Sequence, residues 1–211
     1  RQRHAGPEPA TDAVEWWGHL KTFAVIMVVV CAVAENIQST QYGKFGADLQ
    51  MGLDPRLGWW LMELPCSVLF WYLFWIRGGP QARTPVPVVL GSIFTLHYLY
   101  RGWYFPLSIK VHRDSKNFGV VPAVFSWTVT IVHATLNASW FARFGKHLRS
   151  TAWFRDPRFV VGFSLYIVGV VLTIHHDNIL RDLRPCPNGA QYCIPDGGLF
   201  TFATSAQYFT E

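Results

Sequence analysis

Charged residues are scarce in this sequence of 211 residues. Asp, Glu, Lys and Arg together make up 15% of it, whereas apolar residues make up 51% and aromatic residues 16%. An average soluble domain carries about 25% charged residues, so the shortage indicates a polytopic membrane protein. The ten tryptophans agree, because indole rings favour the membrane–water boundary. The basic residues give a net charge of +5 but are scattered among loops, which argues against a nucleic-acid partner.

Cysteine is also rare, and the four cysteines do not form a disulfide framework. Cys31 and Cys66 lie within apolar segments, where a thiol behaves as a small hydrophobic group. Cys186 and Cys193 are spaced as C-x6-C, which is not a usual zinc spacing, so no metal is expected. We interpret this pair as thiols, and a disulfide within the loop is the less favoured alternative.

Several familiar catalytic motifs are missing. No G-x-G-x-x-G follows a strand, so a Rossmann cofactor site is unsupported, and neither HExxH nor GxSxG occurs. Strand-like alternation is absent as well. These absences leave a helical membrane protein whose chemistry must come from side chains within or beside its spans.

Apolar segments near the length that crosses a bilayer, about 20 residues, follow one another along the chain. They predict an all-α, polytopic transmembrane bundle behind a polar arm at residues 1–15, with the membrane-embedded domain covering 16–211. Lys and Arg are shared equally between the loops on the two sides, seven each, so the positive-inside rule does not decide orientation. The six predicted spans are 17–34, 57–76, 86–109, 119–141, 159–175 and one that begins near residue 198.

The fifth span leads directly into a charged stretch, residues 173–202. Asp177, Arg181 and Arg184 fall at i, i+4 and i+7, so they share one face if the helix continues, with the acid placed to hold an arginine. Two guanidinium groups on one face suit a ligand that carries phosphate. Arginines that snorkel to the membrane interface would explain the same spacing equally well.

Ionisable and polar residues also lie inside the predicted spans. Glu63 precedes Pro65 in the second span, and Tyr98 lies in the third. A carboxyl and a phenol that meet in a packed bundle can polarise a carbonyl group. Each residue taken singly is more often structural, for instance an acid that bonds backbone groups freed by proline. His133 and Asn137, in the fourth span, are interpreted as contacts between helices.

Five motifs then occur in a shared order: YGKF (42–45), MELP (62–65), HYLYRGWYFPL (97–107), IHHDNILRDLR (174–184) and YCIPDGGLFTF (192–202), which leads to Glu211. In these motifs the chain resembles the steroid 5α-reductase family, the membrane 3-oxo-5α-steroid 4-dehydrogenases. The resemblance implies a bundle of seven spans, the last of which lies beyond the six visible here. It also implies reduction of an activated carbon–carbon double bond by NADPH, which is held within the bundle.

The resemblance assigns roles to individual residues. Glu63 and Tyr98 match the pair that binds and polarises the 3-keto oxygen, and Met62 and Arg101 are assigned to substrate binding. The positions assigned to NADPH are Asp177, Arg181, Arg184, Tyr192, Gly197, Gly198, Gln207 and Glu211.

The chain departs from the family pattern at a few of these positions. Met62 stands where Gln is frequent, Thr173 and Gln207 each stand where Asn is expected, and Phe202 where Tyr is frequent. These departures bear on the substrate more than on the reaction. The final span and its basic, aromatic tail are not part of the sequence, so inactivity of the chain on its own is one expectation.

The expected function is therefore transfer of a hydride from NADPH to the β-carbon of a 4-ene-3-ketosteroid or a similar conjugated lipid. We expect a monomer in the bilayer of the endoplasmic reticulum, with the cofactor loops facing the cytosol. A reductase of another conjugated lipid, such as an enoyl thioester or a polyprenoid, is the alternative within the same class. A non-catalytic sterol- or lipid-binding protein, or a generic helical bundle, is the alternative outside it.

Overall fold

The computed structural model describes residues 11–37, 52–111, 118–186, 189–190 and 193–211. Within these residues the chain is almost entirely helical, which confirms the all-α prediction. The YGKF motif and Tyr192 lie outside the described residues. The long α-helices are α1 (Thr11–Ile37), α2 (Pro55–Phe70), α3 (Pro85–Leu99), α5 (Val120–Ser139) and α6 (Pro157–Asp182).

Shorter elements complete the fold. The two-residue strands β1 (Gly52–Leu53) and β2 (Phe118–Gly119) pair antiparallel, and the short helices are α4 (Phe105–Ser108) and α7 (Ala206–Thr210). α-Helices α2, α3 and α5 each continue into one π-helical segment, at Trp71–Ile76, Tyr100–Tyr104 and Trp140–Phe144 respectively. Three 3-10 turns lie on the path into and out of α6, at Lys146–Arg149, Thr151–Arg155 and Gly198–Thr201.

Three helices among the described residues are long and apolar enough to cross a membrane: Thr11–Val33, Pro55–Ile76 and Pro157–Asp182. The prediction of six spans is therefore not confirmed as a count. Helix α1 begins at Thr11, so the last residues of the predicted arm are helical. The segment predicted to begin a sixth span near Gly198 is a 3-10 turn followed by the five residues of α7.

Proline and aspartate explain where the membrane helices begin. Pro55 and Pro157 occupy the first turn of α2 and α6, where a missing backbone N–H costs nothing. Asp54 and Asp156 precede them, and their carboxylates accept hydrogen bonds from the free backbone N–H groups of the first turn. Hydrogen bonds from Arg158, side chain and backbone, lower the pKa of Asp156 to about 2.

The interior is built from close contacts between α2, α3 and α5. Phe70 and Phe74 are fully buried, and they pack with Cys66 against alanines of α5. Gly91 on α3 is required at this contact, because a Cβ atom there would overlap the ring of Phe74. Outward-facing valines of α1 and α6, in contrast, are exposed and apolar, as expected of surfaces in contact with lipid.

One sequence-based interpretation is wrong. Cys186 and Cys193, interpreted as thiols, form a disulfide with their Cα atoms 5.8 Å apart. Seven positions separate them in the sequence. Cys31 and Cys66 are free thiols, as expected.

Candidate functional site

Arg101 lies at the centre of the ionisable residues that the sequence singled out. It belongs to the π-helical segment that extends α3, and only 6% of it is exposed. Its Nε atom lies 3.1 Å from Oε1 of Glu211 and 3.9 Å from Oε1 of Glu63. The guanidinium also lies over the ring of Trp59, 4.4 Å from the ring centre. One cation therefore joins two carboxylates that are distant in sequence.

Glu63 is buried inside α2, two residues before Pro65 of the same helix. Gly102 packs directly against its side chain, and the Nε atom of Arg101 lies 3.9 Å from its carboxylate. An ionised carboxylate in this position is stabilised by the adjacent guanidinium, which offsets part of the cost of removing it from water. Glu63 is therefore placed as half of an ion pair rather than as an isolated acid.

Tyr98 lies one turn before Arg101 and is half-buried. Its ring packs against Phe94, with ring centres 4.8 Å apart, and the side chain packs against the buried cluster that contains Cys66 and Phe70. Glu63 is close enough to act on the phenol electrostatically. Within the described residues, however, no hydrogen bond joins Glu63 to Tyr98, so the predicted pair shares a neighbourhood without direct contact.

A large cavity opens beside Tyr98, which we call the site cavity. It has a volume of about 880 Å³ and lies between α3, α5 and α6. Its lining is mainly apolar and includes the polar side chains of Tyr98, Arg101 and Glu211. Such a lining suits an apolar ligand that carries a polar group.

His133 and Asn137 also line the site cavity, from α5. The ring of His133 stacks on Phe94, with centres 5.3 Å apart, and the Asn137 amide donates to the His133 backbone carbonyl. The stacking of His133 on Phe94 is a contact between helices, as the sequence predicted, whereas the location of both residues in the lining of the site cavity was not predicted. The i, i+4 spacing was the available signal, since it places both side chains on one face of the helix.

A second cavity, which we call the basic cavity, lies on the other side of Arg101 and has a volume of about 190 Å³. Arg101 is part of the lining of both cavities. Four of the eight positions assigned to cofactor binding line the basic cavity: Asp177, Arg181, Arg184 and Gln207. Arg101 and Lys110 add two further cationic side chains to the lining.

The charged face predicted for residues 177–184 is correct in part. Asp177 and Arg181 lie on α6, but that helix ends at Asp182, so Arg184 follows it in an irregular segment and still reaches the basic cavity. Asp177 does not hold an arginine by a hydrogen bond. Its Oδ2 atom accepts instead from the hydroxyl of Tyr100, at 2.8 Å.

The guanidinium groups of Arg181 and Arg184 are held by hydrogen bonds. Arg181 donates to Oδ1 of Asn178 at 2.8 Å and to Oγ of Ser108 at 3.0 Å, and Arg184 donates to the carbonyl of Lys110 at 3.0 Å. Both arginines are thereby held at the wall of the basic cavity.

Three buried polar atoms in the described part of the chain have no hydrogen-bond partner at this cavity. They are Oδ1 of Asp177, Nε of Arg181 and Oε1 of Gln207. Buried polar atoms are normally paired, so a cavity with two unpaired acceptors and one unpaired donor suits a ligand that supplies both hydroxyl groups and an anion. NADPH has both in its ribose and phosphate groups, so the residues present fit these groups of the cofactor.

Gly197 and Gly198 have positive φ angles of 92° and 55°, which glycine adopts without strain. Neither lines the two cavities. Gly198 instead packs on α6, because a Cβ atom there would lie 2.9 Å from Nε2 of His176.

His176 was not assigned a role from the sequence, yet it is fully buried. Its Nε2 atom accepts a hydrogen bond from the backbone N–H of Leu199, at 2.9 Å, and its Nδ1 atom lies 2.6 Å from the carbonyl of Leu172. Accepting at Nε2 requires a neutral ring with its proton on Nδ1. One α6 side chain therefore fixes the loop that leads to Gln207 and Glu211.

Met62, assigned to substrate binding, lies elsewhere. It packs against the cluster of Trp59, Phe118 and Ala123 and lines neither cavity. Within the described residues no group of three or more His, Cys, Asp or Glu side chains is placed to hold a metal ion.

Comparisons with known proteins agree on one family. A family model described as 3-oxo-5-alpha-steroid 4-dehydrogenase matches residues 117–211. The 3-oxo-5-alpha-steroid 4-dehydrogenase 1 of Homo sapiens is 33% identical over 188 residues, which cover 87% of this chain and 70% of that protein. The protein of the same name from Macaca fascicularis is 32% identical, with 87% and 68% covered. The steroid 5-alpha-reductase DET2 of Solanum lycopersicum is 28% identical over 199 residues, with 92% and 75% covered.

Proposed function

Because this chain belongs to the 3-oxo-5-alpha-steroid 4-dehydrogenase family, we propose that it reduces the carbon–carbon double bond of a 4-ene-3-ketosteroid with NADPH as the reductant. The members of this family are oxidoreductases that act on CH–CH groups. The observation that carries the proposal is the position of Arg101 in the wall of both cavities. A steroid in the site cavity and a cofactor in the basic cavity would meet beside this residue.

Asp177, Arg181, Arg184 and Gln207 would hold the cofactor. Arg181 and Arg184 offer guanidinium hydrogens to phosphate oxygens. The unpaired oxygens of Asp177 and Gln207 accept from hydroxyl or amide donors of the ligand. NADPH, when bound, supplies the hydride that is added to the β-carbon of the conjugated ketone.

Tyr98 would act on the substrate carbonyl. Tyr98 lines the site cavity, where its hydroxyl would donate to the 3-keto oxygen as negative charge develops on that oxygen. Glu63 and Arg101 would set the electrostatic environment of the phenol. The ion pair between them would hold the Glu63 carboxylate in place. The double bond gains a hydride at the β-carbon and a proton at the α-carbon, so the ketone is regenerated when the α-carbon is protonated.

The membrane setting supports a lipid substrate. The site cavity is lined mainly by apolar side chains, and α6, which supplies part of that lining, is long and apolar enough to cross a membrane, so a steroid dissolved in the bilayer could reach the cavity. We further propose residence in the endoplasmic reticulum, with the α6–α7 loop on the cytosolic side, because NADPH must reach the basic cavity from an aqueous compartment that contains it.

The proposal is tested by product analysis. The protein in membranes is incubated with NADPH and a panel of 4-ene-3-ketosteroids, with an enoyl thioester and a polyprenoid as comparison substrates. Formation of 5α-reduced steroid together with NADPH consumption is expected. Reduction of only the thioester or the polyprenoid would move the chain to another substrate class, and binding of steroid without turnover would indicate a binding protein.

A further inference from the structure

A third cavity, which we call the connector groove, opens beside the first turns of α6. It has a volume of about 300 Å³ and lies between α3, α6 and the connector, residues 140–156, which joins α5 to α6. Its α6 wall consists of Phe159, Gly162, Phe163 and Tyr166, which lie at i, i+3, i+4 and i+7 and therefore share one face of the helix. The groove thus follows the start of a helix that is long and apolar enough to cross a membrane.

The walls of the groove are mainly apolar, and its inner end is crossed by a hydrogen bond. Phe159 and Tyr166 are seven helical positions apart, which corresponds to about 10 Å along the axis of α6. At the inner end the Tyr166 hydroxyl donates to the carbonyl of Ile93 on α3, at 3.3 Å. Leu90 and Leu148 complete the apolar walls. The groove therefore has room for a segment of an alkyl chain that lies along α6.

The outer end of the groove is aromatic and basic. Trp140 and Trp153 line it together with His147 and Arg158. The Arg158 guanidinium lies over the Trp153 ring, 4.6 Å from the ring centre, and pairs with Asp156 at 2.8 Å. Tryptophan and basic residues at the end of a membrane-crossing helix are typical of the boundary between hydrocarbon and water. The connector is therefore at the level of the lipid headgroups.

Basic residues are concentrated at this end of the bundle. The loop of residues 77–85 is held to the connector by a hydrogen bond from Nε of Arg149 to Oε1 of Gln81, at 2.8 Å. Residues 77–85 and 140–158 contain one carboxylate, Asp156. Their seven basic residues are Arg77, Arg83, Arg143, Lys146, Arg149, Arg155 and Arg158.

Helix α1 brings two acidic residues, Asp12 and Glu15, to the same end of the bundle. Its Trp17 stacks on Phe144 of the connector, with ring centres 4.7 Å apart. Basic residues remain in excess after these acids are counted, and Arg155 is exposed beside the groove-lining segment. This end of the bundle therefore complements a negatively charged group at the membrane surface.

We propose that the connector groove binds an anionic phospholipid, with one acyl chain in the groove and the headgroup phosphate on the basic residues of the connector. Phosphate oxygens accept charge-assisted hydrogen bonds from guanidinium groups. Each basic side chain near an anionic lipid surface strengthens binding roughly fivefold. A zwitterionic lipid with the same acyl chains would fill the groove as well, so the net charge of the headgroup is the property that the connector selects.

The test uses two lipid probes, phosphatidylglycerol and phosphatidylcholine, which carry the same photoreactive acyl chain. With the protein in a neutral detergent, phosphatidylglycerol should label peptides that contain Trp153 or Phe159 and should half-saturate at a concentration at least about fivefold lower than phosphatidylcholine. Arg155→Gln should raise the half-saturating concentration of phosphatidylglycerol about fivefold and leave that of phosphatidylcholine unchanged. Arg56→Gln is the matched control, because Arg56 is exposed at the start of α2, the end of that helix away from residues 77–85, and it should change neither value.

Two further measurements complete the test. Glycerol 3-phosphate, which carries a phosphate without acyl chains, should not displace the label, and Arg155→Gln should bind NADPH as the wild type does, which shows that the fold is retained. Equal half-saturation by the two lipids, or labelling confined to peptides outside the groove, would overturn the inference. Displacement by glycerol 3-phosphate would overturn it as well, because the connector would then bind a soluble phosphate compound rather than a lipid.

Discussion

The Nε atom of Arg101 lies 3.1 Å from the Oε1 atom of Glu211, although 110 positions separate the two residues in the sequence. Arg101 is 6% exposed, and its other carboxylate neighbour is the buried Glu63. The contact fixes the segment after Gly198 against the π-helical extension of α3. It also sets a positive charge at the point where the site cavity and the basic cavity meet.

Removal of this cation should destabilise the fold. Arg101→Ala leaves Glu63 and Glu211 without their shared partner, and the loss of one member of a buried ion pair costs about 3 kcal/mol of the free energy of unfolding. Thermal unfolding in detergent is the measurement. Arg101→Ala combined with Glu63→Gln should recover part of the loss, since the second change removes the unpaired charge.

The exposed pair of Arg158 and Asp156 provides the control. Arg158→Ala should leave the unfolding midpoint nearly unchanged, because solvent screens an ion pair at the surface. Equal effects of Arg101→Ala and Arg158→Ala would show that burial of Arg101 is not what makes its contacts matter.

Tyr98 should be required for chemistry and dispensable for cofactor binding. Tyr98→Phe removes the donor to the developing oxyanion and should lower kcat by about 10²- to 10³-fold, while the affinity for NADPH, followed by its fluorescence, is unchanged. Tyr72→Phe is the matched control, because Tyr72 is exposed and lines none of the cavities described above. Turnover that persists in Tyr98→Phe would exclude the phenol as the carbonyl-binding group.

Substitutions in the basic cavity, unlike Tyr98→Phe, should weaken NADPH binding. Arg184→Ala and Arg181→Ala each remove a guanidinium from its wall and should weaken NADPH binding roughly tenfold or more, as expected for a charge-assisted hydrogen bond to phosphate. Fluorescence titration of NADPH measures this without turnover. Arg143→Ala changes an exposed arginine of the π-helical extension of α5 and should bind NADPH as the wild type does. A loss of the same size in all three variants would indicate a general electrostatic effect.

The helices themselves were predictable from local chemistry. The second span, predicted at 57–76, is observed as α2 and its π-helical extension at 55–76, because the apolar run and the Asp–Pro start both act locally. The fifth was predicted to end at His175, where apolar residues give way to charged ones, but α6 continues to Asp182. Its last turns are supported by tertiary partners, Tyr100 for Asp177 and Ser108 for Arg181, which no local pattern contains.

The site was predictable as a set of residues and not as a set of contacts. Glu63, Arg101 and Glu211 were each named from motifs, but their shared ion pair depends on how α2, α3 and the last segment pack. Met62 was named for its place beside Glu63 in the MELP motif. Successive positions on a helix are about 100° apart, so the neighbour of a site residue can face a different cluster, as Met62 does.

His176 supplies the last prediction, since it holds the loop before α7 through a single acceptor atom. His176→Ala removes the partner of the Leu199 N–H and the edge contact with Phe200, whose ring centre is 5.3 Å away. The segment that carries Gln207 and Glu211 should loosen, so that the Leu199 amide exchanges hydrogen faster and NADPH affinity falls roughly tenfold, the effect of one buried hydrogen bond. His176→Gln offers an oxygen acceptor of similar reach and should restore part of both properties. His175→Ala, at the exposed neighbouring position, should affect neither, and unchanged Leu199 protection in His176→Ala would show that the loop is held by other contacts.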